Sequence, residues 1–144
     1  MTFRLETATP ADLPAVRALL EELKLPAADV GAGHQHFVVA RDGGTVVGCV
    51  GVERYGESAL LRSLAVKPGR RGEGLGKALT ERAISEARAS GARRAFLLTI
   101  TAEEYCRRLG FERIGREAVP PAVRGSAQFG ALCPATAVCM WKAI

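Results

Sequence analysis

What the sequence holds little of narrows it first. Its four cysteines, Cys49, Cys106, Cys133 and Cys139, form no CxxC pair and have no histidine at zinc-ligand spacing. No metal site is indicated, and reduced thiols in a cytoplasm account for them. No stretch approaches the roughly 20 apolar residues of a membrane span, and the N-terminal MTFRLETATP has no apolar core of a secretory signal. Aromatic residues make up 6% and are not interleaved with the lysines and arginines, which counts against nucleic acid as a partner. Repeats, low-complexity segments and linkers are absent too, so the 144 residues read as one domain, 1–144, with length enough for a substantial core.

What is present is an ordinary globular composition, 48% hydrophobic and 24% charged, with a net charge of +5 spread along the chain. That charge suits a polyphosphate ligand. The stretch Leu60 to Leu79, LLRSLAVKPGRRGEGLGKAL, is where it would bind. An apolar strand pattern ends at Val66, a Pro-Gly break follows, and Leu75, Ala78, Leu79 and Ala83 then repeat at helical spacing. Between them lies Arg71-Gly72-Glu73-Gly74-Leu75-Gly76-Lys77. Amides at a helix N-terminus have no intrahelical partner and sit at the positive end of the helix dipole, and glycines let a bulky anion approach them. A Walker loop is excluded because Ala78 follows Lys77, and the dinucleotide GxGxxG spacing is not met. The pattern that does fit is Arg-x-x-Gly-x-Gly at Arg71, Gly74 and Gly76.

From the N-terminus, Phe3, Leu5 and Thr7 alternate as a short strand, and Thr9-Pro10-Ala11-Asp12 opens a helix whose apolar face is Leu13, Val16, Leu19, Leu20 and Leu23. Leu25 to Gln35 is expected to be a loop with at most one turn of helix. Phe37 to Ala40 and Val46 to Glu53 are strands joined by the turn Arg41-Asp42-Gly43-Gly44, and a second turn leads into the central strand, Leu60 to Val66. A helix from about Gly74 to Ala89 ends at Gly91. Arg94 to Ile100 should then return parallel to the central strand by a right-handed crossover. A short helix over Ala102 to Leu109, a strand over Phe111 to Glu117, a short helix over Ala122 to Ala131 and a last strand over Ala135 to Lys142 complete the expectation.

The Arg71, Gly74, Gly76 signature, the strand before it and this element order together resemble the GNAT superfamily of N-acetyltransferases. The implied fold is mixed α/β, a central mixed sheet of about seven strands flanked by about four helices. The segments LPAAD (Leu25 to Asp29), GVERYG, LLRSLAV, LLTITAEEYCRRLGF and LCPATAVCM are most similar to the arsenic-resistance ArsN-type acetyltransferases. That resemblance implies acetyl-CoA as acetyl donor and a small zwitterionic amine, of the kind of arsinothricin or phosphinothricin, as acceptor. It implies backbone contacts to the donor from Leu64, Ala65 and Val66 and from the loop Arg71 to Lys77. A homodimer through the C-terminal strands is compatible with it. A protein N-terminal acetyltransferase, and a non-catalytic module binding acyl-CoA or arsenite, stay open as alternatives.

For the reaction itself, a base must free the amine and an acid must protonate the leaving thiolate. Ser58 to Val66 contains no acid, so Glu53 is the candidate base, with Glu57 in the turn behind it. The position four before Gly110, where the family places a tyrosine, is Cys106, so Cys106 is the candidate acid unless it is a buried filler. Tyr105 precedes it by about 100° of helix and is expected to point elsewhere. Arg62, a charge in an apolar strand, needs a carboxylate partner. Either the substrate supplies it, or Glu53 or Glu57 does. His34 lies where the first loop would roof the acceptor.

Overall fold

The computed structural model describes residues 3–132 and 136–144. Four strands, β1 (Arg4–Thr7), β2 (Gln35–Asp42), β3 (Thr45–Tyr55) and β4 (Ser58–Val66), follow one another antiparallel. β5 (Arg94–Thr99) lies parallel to β4, and β7 (Val138–Ala143) pairs antiparallel with β5 and with the two-residue β6 (Glu112–Arg113). The result is a seven-stranded mixed sheet in the order β1-β2-β3-β4-β5-β7-β6. The helices are α1 (Leu13–Glu22), α2 (Leu75–Ala89), α3 (Glu103–Arg108) and α4 (Pro121–Arg124).

Period-two alternation divides the strand residues between two faces. One face, with Val38, Val50, Val52, Ala59, Leu61, Ala95 and Met140, packs against Leu75, Leu79, Ala83 and Ile84 of α2 and Cys106 of α3. The opposite face is covered in two halves. Val16, Leu19 and Leu20 of α1, with Ala27 and Val30 of the loop after it, pack on Phe37, Val39 and Cys49. Val119, Val123 and Phe129 pack on Leu60, Phe96 and Cys139. The buried polar residues Glu53 and Arg62 project on this second face, because Glu53 pairs with Leu60 and Arg62 is two residues beyond it.

Two expectations are corrected. The run Phe111 to Glu117 pairs only at Glu112 and Arg113; Gly115 and a 3-10 turn at Arg116–Ala118 end the strand, leaving a short edge. The helix expected over Ala122 to Ala131 stops at Gly125, and a separate π-turn spans Gln128–Leu132. Leu25 to Gln35 is a loop of turns as expected, except that its last residue, Gln35, already belongs to β2. Ala135, the expected start of the last strand, lies outside the described residues, as does Cys133.

Candidate active site

The site begins with a bulge. From Cys49 to Gly51 the ladder advances two residues on β3 but three on β4, from Ala65 to Arg62, and Ser63 takes a left-handed φ of 58°. β4 bends accordingly, and its pairing with β5 stops after Ser58, Ala59 and Leu60. From Leu61 onward β4 has no strand beside it on that side, and Leu64, Ala65 and Val66 form its free run.

That free run leads into the glycine loop. Gly72 and Gly74 adopt φ of 88° and 82°, and a Cβ at either would meet nothing within 4 Å, so the loop presents bare backbone. Gly74 is the N-cap of α2 and no side chain caps the helix. Leu75 is buried and anchors the first turn, leaving its amide as the group it can offer. Arg70 is turned back onto Asp42 at 2.7 Å and onto Glu73 at 2.9 Å. Arg71 and Lys77 are exposed and hold no ion pair among the described residues.

On the other side of the opening stands α3. The Tyr105 hydroxyl lies against Cα of Gly76, so close that a Cβ there would collide with it. This corrects the expectation that Tyr105 points elsewhere. Cys106, the candidate acid, is 5% exposed and sits in the core under α2, where burial pushes its thiol up. It fills the core and does not reach the opening.

A polar cluster occupies the second face beside the opening, between the two apolar halves. Arg62 Nη1 and Nη2 each lie 2.5 Å from a carboxylate oxygen of Asp29, and Nη1 is also 2.8 Å from Glu53 Oε2. Glu53 is fully enclosed; its Oε1 accepts from Tyr55 Oη at 2.5 Å and its Oε2 from Gln35 Nε2 at 3.2 Å. His34 Nε2 lies 3.4 Å from Glu53 Oε1, with half of its side chain exposed. Burial alone would raise the Glu53 carboxyl, but the bonds from Tyr55 and Arg62 outweigh it and hold the group below its ordinary value. The hydrogen bonds from Arg62 do the same to Asp29 against a smaller burial effect. Tyr55 is pushed up, by burial first and then by the bond to Glu53. The arrangement tethers the loop after α1 to the centre of the sheet and roofs the ground beside the β4 opening.

The family model for the acetyltransferase (GNAT) domain matches residues 33–113, from the roof loop through β6. The chain belongs to the GNAT acetyltransferase family. Solved structures share its fold over nearly the whole chain. N-acetylglutamate synthase from Neisseria gonorrhoeae, complexed with coenzyme A and N-acetyl-glutamate, superposes with a TM-score of 0.83 at 20% identity, over 99% of this chain and 35% of that one. Rv2747 from Mycobacterium tuberculosis, in complex with CoA, gives 0.80 at 25% identity, over 98% and 99%. An acetyltransferase of the family from Staphylococcus aureus Mu50 gives 0.79 at 16%, over 99% of both chains. The GNAT chain thus spans about a third of the length of the N-acetylglutamate synthase it resembles.

In this GNAT acetyltransferase the cluster brings together Glu53, Arg62 and His34. Glu57 is not among them: it is exposed in the β3–β4 turn, and its carbonyl accepts the amides of Arg93 and Arg94. Of the partners left open for Arg62, the structure shows a protein carboxylate and no room for the substrate's: the side chain is fully enclosed and held by Glu53, and by Asp29 as well. Asp29, Gln35 and Tyr55 join the cluster from outside the set of residues expected there. The one signal for Asp29 was an acid in the LPAAD segment, 33 residues from the arginine it meets.

Proposed function

We propose that this GNAT acetyltransferase moves an acetyl group from acetyl-CoA to the amine of a small, amino-acid-like acceptor, as the likeness to ArsN-type enzymes and their arsinothricin- and phosphinothricin-like substrates suggests. The observation that carries the reading is the opening of β4 after Leu60 directly beside the uncapped N-terminus of α2. Amides from Gly72 to Gly76, with Arg71 and Lys77 as countercharge, suit a diphosphate. The free run Leu64, Ala65 and Val66 offers main-chain donors and acceptors to the amide groups of the pantetheine arm. When bound, acetyl-CoA supplies an activated thioester. To the Tyr105 hydroxyl, which lies against Gly76 of the same loop, we assign protonation of the departing sulfur.

A small acceptor is favoured over a protein N-terminus because the roof loop is pinned to β4 by Asp29 and Arg62, and Val123 and Phe129 cover the other half of that face. An open peptide groove would need one of them to lift. A thiolate-based arsenite site has less support: Cys49, Cys106 and Cys139 are buried and unpaired, and Cys139 is pushed up to about 11. Unpaired thiols are in keeping with a cytoplasmic setting. A homodimer through β7 would have to use the part-exposed Val138 and Trp141, because Met140 is enclosed in the core. Mass spectrometry after incubation with acetyl-CoA and phosphinothricin, glutamate, aspartate or an N-terminal peptide tests it. N-acetylation of an amino acid supports the reading, and acetylation of the peptide alone refutes it.

A further inference from the structure

Resting on that reading, we infer that His34 is the general base that accepts the acceptor amine's proton, with Glu53 as the residue that positions its ring. A base must be reachable from the acceptor, and Glu53 is not. It is fully enclosed, and both of its oxygens already accept hydrogen bonds, Oε1 from Tyr55 and Oε2 from Arg62 and Gln35. His34 meets the requirement Glu53 fails. Its side chain is about half exposed on the roof loop, and its Nε2 faces Glu53 Oε1. A carboxylate at Nε2 favours the proton on that nitrogen and leaves Nδ1 with its lone pair free.

The location is fixed by the sheet. Glu53 is paired with Leu60, and Leu60 is the last β4 residue paired with β5. The imidazole therefore stands one strand from the point where the donor's opening begins. The charged and titratable groups around it are Glu53 and Tyr55 of β3, Arg62 of β4 and Asp29 of its own loop. Imidazolium formed at His34 is balanced by the Asp29 and Glu53 carboxylates, of which Arg62 offsets only one. The proton balance is simple. An ammonium acceptor gives one proton to Nδ1 of His34, which passes it to solvent. The neutral nitrogen then attacks the acetyl carbonyl carbon, the C–N bond forms as the C–S bond breaks, Tyr105 gives its proton to the departing sulfur, and the nitrogen's second proton restores the Tyr105 hydroxyl.

The full chain has two histidines, so His36→Ala assigns the imidazole signals, and His36, paired on the surface with Glu86, serves as the control. Nitrogen-15 NMR should show His34 as the Nε2–H tautomer, with that preference lost in Glu53→Gln. With phosphinothricin, glutamate and aspartate as probes, His34→Ala should lose on the order of a hundredfold in kcat while KM for acetyl-CoA stays unchanged. Added imidazole should restore part of the rate, whereas His36→Ala should match the parent. A ring whose tautomer ignores Glu53→Gln, or a His34→Ala variant as fast as the parent, overturns the assignment. A parent protein silent on every probe overturns the acceptor reading and the base with it. A parent that turns over while His34→Ala is slow and not rescued overturns the base alone.

Discussion

Without its guanidinium, Arg62 would leave Glu53 enclosed and short of its cation, and Asp29 without its bidentate partner. Breaking a buried pair by removing one member costs about 3–5 kcal/mol, so Arg62→Ala should lose that much in urea denaturation. Arg62→Lys should recover only part, since an ammonium cannot reproduce the planar fork. The same contacts set an acid dependence. Asp29 and Glu53 are held below their ordinary values when folded, so the stability they confer is fully present above the unfolded carboxylate range, near pH 4. It is lost as pH falls through the lower folded values. Urea midpoints measured from pH 6 down to pH 3 should therefore fall more steeply for the parent than for Asp29→Asn. At the donor side, Tyr105→Phe should keep the fold and reduce kcat by on the order of a hundredfold. An unchanged kcat would assign protonation of the sulfur to solvent. The Arg62–Glu53 pair was within reach of the sequence, since an arginine in an apolar strand needs a carboxylate and Glu53 lies in the strand before it, whereas the Arg62–Asp29 pair was not, because the two come from different elements and nothing local in either segment names its partner. The direction of Tyr105 was misread for a related reason, since stepping along a helix fixes relative angles and not which face meets the opening.

The strand, loop and helix from Ser58 to Ala89 were readable because each is written in local terms: an apolar run in β4, glycines at left-handed positions, and a helical repeat of apolar residues in α2. The bulge at Ser63 was not, since it shows only in the register against β3. Elements whose limits depend on neighbours were overextended, as β6 and the segment after α4 show. The loop makes its own prediction. Arg71→Ala should weaken CoA binding and activity together. Gly74→Ala must hold a left-handed residue at the α2 N-cap, which costs about 1–2 kcal/mol, and should weaken CoA further than it weakens the fold. Titration calorimetry with CoA checks both, and full affinity in either variant would remove the loop from the donor site. Gly51 is a packing requirement beside the polar cluster: a Cβ there would press on the Phe37 ring and on Cγ of Arg62 at 3.1 Å. Gly51→Ala should cost about 1–3 kcal/mol as overpacking and disturb the polar cluster.

At the scale of the whole molecule, the sheet acts as a frame with one deliberate gap. β1 to β4 form a continuous antiparallel block, β5 to β7 form another, and three residue pairs join them. The glycine loop and Tyr105 flank the gap, and the roof loop, pinned through Arg62, stands over its origin. Among the described residues no helix is long and apolar enough to cross a membrane. The net charge of +5 favours approach of an anionic donor. A ligand that binds only the folded chain stabilises it by about 2.7 kcal/mol at a hundredfold excess over Kd, so acetyl-CoA should raise the melting temperature in the parent and much less in Arg71→Ala. The most direct test is free-thiol release from acetyl-CoA, with and without arsinothricin, phosphinothricin, glutamate, aspartate and an N-terminal peptide. Amine-dependent release with at least one amino acid, and none with the peptide, is the predicted result. Release with the peptide alone, or none with any amine while acetyl-CoA still binds, would contradict transfer to a small amino-acid-like acceptor.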